Sequence, residues 1–117
     1  MNRITLALGV ALVALAVAVA PVSAQPSSAK ATTVTVTMKE FKFTLSKTTV
    51  PHGVVIFKLV NKGHIAHDMR IARKTSKLIK PGKTGTFTVT LKKGKNAYLC
   101  PIPGHAAAGM KGTLKVT

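Results

Sequence analysis

Apolar and polar residues alternate one by one over several short runs, and that period confines the chain to β-structure. Val34, Val36 and Met38 alternate with Thr33, Thr35 and Thr37. Phe41, Phe43 and Leu45 alternate with Lys42 and Thr44, and Phe87, Val89 and Leu91 with Thr86, Thr88 and Thr90. Successive side chains of a strand point to opposite faces, so each run buries one face and wets the other. Val54 to Val60 is apolar on both faces apart from Lys58, as a central strand requires. Pro51-His52-Gly53, Asn61-Lys62-Gly63, Pro81-Gly82 and Lys93-Gly94 supply turns between the runs. No stretch beyond residue 24 sustains a helical period. Short strands with frequent turns predict an all-β, antiparallel β-sandwich with one core, no internal repeat and no second domain.

The beginning of the chain has a different character. Arg3 is followed by an apolar run from Ile4 to Ala20, which Pro21 breaks, and Val22-Ser23-Ala24 then offers a cleavage site. Residues 1–24 are therefore predicted to be a signal peptide, and the protein to be exported to the periplasm or secreted. The competing reading is an uncleaved anchor, although seventeen apolar residues lie at the short edge of the roughly 17–25 that span a bilayer. Residues 25–31 (QPSSAKA) read as a flexible leader, and 32–117 as the folded domain.

Charge narrows the function classes. The 117 residues hold 18 Lys and Arg against two Asp and Glu, a net charge of +16, or +15 once Arg3 is removed with the leader. Such a charge speaks about partners rather than fold. Nucleic acid is disfavoured, because the lysines are spread from Lys30 to Lys115, aromatic side chains are few and the chain carries an export address. An acidic redox partner, such as a cytochrome or oxidase subunit, or an anionic membrane surface fits better. A monomer is expected. With only Glu40 and Asp68 as carboxylates, hydrolysis by a carboxylate pair is disfavoured. One cysteine, Cys100, excludes an internal disulfide and leaves a buried thiol, a reactive thiol or a metal ligand.

Chemistry-bearing residues gather in two places. The segment from Tyr98 to Gly112 sets a thiol, an imidazole and a thioether at Cys-x4-His-x4-Met spacing: Cys100, His105 and Met110. Upstream, at the end of the central strand, lies Asn61-Lys62-Gly63-His64-Ile65-Ala66-His67-Asp68. Two imidazoles and a thiolate with a weak axial thioether make the blue-copper arrangement, suited to an ion that changes by one electron without much change of geometry. His64 and His67 compete for the upstream position. His52, between Pro51 and Gly53, reads as a turn residue.

These residues resemble the cupredoxins of the plastocyanin and azurin family, over about Val34 to Val116. Asn61, Gly63 and His67 match the family's Asn-x-Gly-x3-His motif. Tyr98, Cys100, Pro103, Gly104, His105, Gly109, Met110 and Gly112 match its Tyr-x-Cys…Pro-Gly-His…Gly-Met-x-Gly motif, with loop spacing most similar to rusticyanin and auracyanin. The resemblance favours His67 over His64. It implies an eight-stranded Greek-key sandwich holding one type 1 copper between His67, Cys100, His105 and Met110, and an electron shuttle rather than an enzyme. Common copper oxidases and reductases need a second copper site, and no further His cluster is present to build one. Copper storage, delivery or resistance through the same ligands is the alternative. Asp68 departs from the Asn or Ser usual after the first histidine; its carboxylate is expected to tie the ligand loops by accepting a backbone N–H from the Cys100 loop. Pro101, Ile102, Pro103 and Ala106 to Ala108 form an uncharged surface around His105, read as a docking patch.

Overall fold

A computed structural model describes residues 9–21 and 30–117. The cleavage position after Ala24 and the leader residues 25–29 lie outside the described residues. Residues 9–21 are exposed and carry neither helix nor strand. Among the described residues no helix is long and apolar enough to cross a membrane.

Among the described residues nine strands follow: β1 (Thr32–Lys39), β2 (Lys42–Leu45), β3 (Thr49–Val50), β4 (Gly53–Asn61), β5 (Arg70–Ile71), β6 (Lys74–Thr75), β7 (Thr84–Leu91), β8 (Gly94–Leu99) and β9 (Lys111–Val116). They form a four-stranded sheet in the order β2-β1-β4-β7 and a five-stranded sheet in the order β3-β9-β8-β5-β6. Residues 32–37 of β1 are all Thr or Val, whose branched side chains are stiff and suit a pleated surface. In β4, Val55, Phe57 and Leu59 are buried inward while Val54 and Lys58 face out, and the strand lies between β1 and β7 as its apolar pattern predicts.

The sandwich is the expected one, but two pairings depart from an antiparallel arrangement. β1 runs parallel to β4, and β3 parallel to β9, so both sheets are mixed. Alternation reveals which face of a strand is buried and carries no information about the direction of its neighbour. Three of the strands, β3, β5 and β6, have only two residues, and the count is nine among the described residues where eight were expected. One of these, β5, is confined to Arg70–Ile71, because Ala72 and Arg73 adopt left-handed φ values of 50° and 63° and turn the chain into β6.

Inward residues of both sheets make one core. Val34, Val36, Met38, Val55, Phe57, Leu59, Val89 and Leu91 from the first sheet meet Val50, Ile71, Leu114 and Val116 from the second. Each such side chain contributes about 1.5–3 kcal/mol on burial. Phe43 and Tyr98 join the sheets edge to face, with ring centroids 5.6 Å apart. Tyr98 lies over Gly112, its partner in register, where any side chain would overlap the phenol; this gives the last glycine of the C-terminal motif a steric reason.

The outer faces differ. On the four-stranded sheet, Thr84, Thr86, Thr88 and Thr90 of β7 and Thr33, Thr35 and Thr37 of β1 flank β4. On the five-stranded sheet, Lys95 and Lys115 face each other directly and are exposed, with Lys111 and Arg70 further along. Lys74 of β6 reaches across to the other sheet, where its ammonium donates to the Thr88 carbonyl of β7 at 2.6 Å.

Candidate metal centre

One end of the sandwich brings together the end of β4, the loop after β8 and the turn between β1 and β2. Asn61, the last residue of β4, is buried, and its side chain organises the upstream loop. Its Oδ1 accepts the Gly63 N–H at 2.8 Å, and its Nδ2 donates to the carbonyls of Ile65 and Ile79, each at 2.8 Å. Ile79 in turn brackets His67: the His67 N–H donates to the Ile79 carbonyl at 3.1 Å, and the Ile79 N–H to the His67 carbonyl at 2.7 Å. The imidazole is thus carried by backbone held on two sides, and it is wholly buried.

The downstream loop is held as closely. Cys100 donates its N–H to the Met110 carbonyl at 3.0 Å, and Met110 donates its own to the His105 carbonyl at 3.1 Å. Gly104 and Gly109, at φ 83° and 114°, make the reversals that fold His105 and Met110 back toward Cys100. Cys100 and Met110 are wholly buried, whereas His105 retains 8% exposure.

His67, Cys100 and His105 converge, with one donor atom from each within 4.8 Å of the others. His67 Nδ1 lies 3.2 Å from His105 Nδ1, and Cys100 Sγ lies 3.6 Å from the same His105 nitrogen. Met110 shares the loop through its main-chain bonds to both neighbours. His64 is exposed and outside this cluster, and His52 is 65 residues from its partner, the Thr117 carbonyl, at 3.0 Å. Of the two competing upstream histidines, the fold brings His67 to the site.

The donor set tests which metal would fit. Hard cations such as Mg²⁺ and Ca²⁺ take oxygen ligands, while two imidazoles and a sulfur, with a thioether in the same loop, suit copper. Burial pushes the Cys100 thiol above its ordinary 9.0, while backbone N–H groups of Asp68 and Ile102 pull it the other way. Asp68 does tie the two loops, but differently from the expectation: its Oδ1 accepts the Cys100 thiol at 3.6 Å, and no backbone N–H of the Cys100 loop is its partner.

Two residues at the site escape sequence reading. Glu40, in the β1–β2 turn, places Oε1 3.1 Å from His67 Nε2. Amides hold it there, the Ile65 N–H foremost with that of His64, and bring its carboxyl down to about 2 from an ordinary 4.5. Phe41, expected in a half-buried strand, lies in the turn instead, 39% exposed, with its ring edge to face against His105 at 5.0 Å. The one available signal for Glu40 was scarcity, two carboxylates in a strongly basic chain.

A two-sheet sandwich with a buried His-Cys-His cluster at one end defines a β-sandwich domain with a candidate metal centre. The chain belongs to the cupredoxin-like domain family, whose model matches residues 9–116. No curated protein matches the chain in sequence. Among solved structures it is similar to auracyanin A, a "blue" copper protein from Chloroflexus aurantiacus, at 21% identity over 75% of this chain and all of the other, with a TM-score of 0.66. It is also similar to rusticyanin from Thiobacillus ferrooxidans, at 22% identity over 77% and 79% of the two chains, with a TM-score of 0.64. A copper nitrite reductase from Nitrosomonas europaea matches at 24% identity over 74% of this chain but 41% of its own, with a TM-score of 0.60. The fold thus serves a blue copper protein and a copper enzyme alike.

Proposed function

We propose that the protein is an exported electron carrier, not an enzyme, whose His67, Cys100, His105 and Met110 would hold one type 1 copper ion. The observation that carries this reading is the convergence of two imidazole nitrogens and one sulfur within 4.8 Å in a buried site. Copper bound there would supply a one-electron couple. The protein's own part is to hold the donors before any metal arrives. The hydrogen bonds around Asn61 and Ile79 fix His67, and the interlocked amides of Cys100, His105 and Met110 fix the rest. Such a frame keeps one geometry through a change of charge, which lowers the reorganisation that electron transfer must overcome.

His105 is the least buried of the four, so the electron leaves by its edge. Phe41 covers one side of that ring, and the uncharged residues Pro101, Ile102, Pro103 and Ala106 to Ala108 border the opening. The partner docks there and is acidic, a cytochrome or an oxidase subunit, or lies beside an anionic membrane. The protein works in the periplasm or outside the cell after cleavage behind Ala24.

Adding Cu(II) to the purified protein is expected to give an intense blue colour from thiolate charge transfer. Cys100→Ser and His67→Ala should lose that band with an unchanged β-type circular dichroism spectrum, and His64→Ala should keep it. Copper bound without the colour, or equal loss in both histidine variants, would overturn the assignment.

A further inference from the structure

We infer that Glu40 is the positioning residue of His67: its carboxylate takes the imidazole Nε2–H and so turns the bare Nδ1 of that ring into the metal site. Glu40 belongs to neither ligand motif and lies 27 residues upstream of His67, in the turn that joins β1 to β2 and also sets Phe41 against His105. Its Oε1 is held by the His64 N–H at 2.8 Å and the Ile65 N–H at 3.0 Å, so the carboxylate is anchored independently of the imidazole it meets at 3.1 Å.

Gly63 makes room for this contact. A side chain at position 63 would overlap the Glu40 carboxylate, so glycine here is a clearance for Glu40 as well as part of a turn. An ionised carboxylate only accepts hydrogen bonds, and a neutral imidazole has one N–H to give. Placing that hydrogen on Nε2 leaves Nδ1 as an acceptor, and Nδ1 is the atom that faces His105 Nδ1 at 3.2 Å. Partners of this kind orient a ligating imidazole and raise its basicity. A negative charge so near the site also favours the more highly charged ion by simple Coulomb attraction. Glu40 therefore holds the reduction potential below the value the same ligands would give without it.

The effect on potential rests on the copper reading above, whereas the tautomer does not, and the experiment separates them. Wild type, Glu40→Gln and Glu40→Ala are compared. In the metal-free proteins, ¹⁵N NMR should find His67 as the single Nε2–H tautomer in wild type and as a mixture in Glu40→Ala. Copper affinity in Glu40→Ala should fall roughly 10–100-fold. Glu40→Gln keeps an oxygen for the loop amides but no charge, so it should fold normally. Its preference for Cu(II) over Cu(I) should fall about tenfold, which raises the potential by about 59 mV for a one-electron couple. An unaltered His67 tautomer in Glu40→Ala, or an unaltered potential in Glu40→Gln, would overturn the inference. If Glu40→Ala does not fold, the Gln variant decides through its potential. If wild type takes up no blue copper, the proposed function fails, and the metal-free tautomers still decide the role of Glu40.

Discussion

Cys100 bears a hydrogen that any bound metal must displace. Burial raises its thiol above 9.0, so at neutral pH the metal-free side chain is protonated and donates to Asp68. Metal uptake must therefore release this proton, and the sign is fixed: affinity falls as pH falls. For Zn²⁺, which takes imidazole and thiolate without redox chemistry, affinity should rise about tenfold per pH unit between about pH 7 and 9. Calorimetry in buffers of different protonation enthalpy counts the released proton directly, and an affinity flat in pH would mean the sulfur does not bind as thiolate. The converging sulfur and imidazole groups were readable because Cys100 and His105 lie within six residues of one another and His67 has its own spaced motif. Glu40 was not readable, since its contact with His67 depends on how a remote turn folds over the β4 end. Phe41 misled for a related reason: it keeps the alternating phase of β2 yet sits one residue before that strand begins.

Among elements, the most exacting is the loop that leaves β4. Asn61 supplies it with three side-chain hydrogen bonds, and the Ile79 carbonyl it touches also accepts from His67. Asn61→Ala would leave the Ile65 carbonyl and the Gly63 N–H without these partners. Each of these part-buried hydrogen bonds is worth about 0.5–1.5 kcal/mol, so losing two costs about 1–3 kcal/mol. For a domain of this size each kcal/mol shifts the melting temperature by about 4–8 °C. Thermal unfolding of the metal-free variant should thus fall by roughly 5–20 °C, on the same bases. An unchanged melting temperature would show that the loop is held by something else. The long strands β1, β4 and β7 could be read from alternation because each repeats it enough times to be recognised. β5 and β6 could not, since two residues define no period, and they exist through pairing with β8 and with each other. The parallel pairings were hidden for another reason, because neighbour choice is settled by where the chain crosses between sheets.

At the scale of the molecule, both sheets carry cations on their outer faces, Lys39, Lys42 and Lys58 on the four-stranded one and more on the five-stranded one. The five-stranded sheet presents Lys95, Lys111, Lys115 and Arg70 outward, while threonines dominate the strands flanking β4 on the other. Two like charges placed opposite one another in register, as Lys95 and Lys115 are, oppose sheet stability slightly. Their common field instead attracts negative surfaces over a Debye length of about 10 Å at 0.1 M salt. Electron-transfer rates with an acidic partner should drop steeply between low and physiological salt. Replacing both lysines with Gln should flatten that dependence while the blue spectrum stays as it was; rates indifferent to salt in wild type would count against an acidic partner. The lysine that matters most to the molecule's own fate is a different one. β7 is the outermost strand of its sheet, eight residues long and uncharged, so its free side is a template on which another extended chain could grow. The Lys74 ammonium occupies the Thr88 carbonyl midway along that side. A single cation from the opposite sheet thereby occupies one acceptor of that open row and makes this edge a poorer template for strand addition.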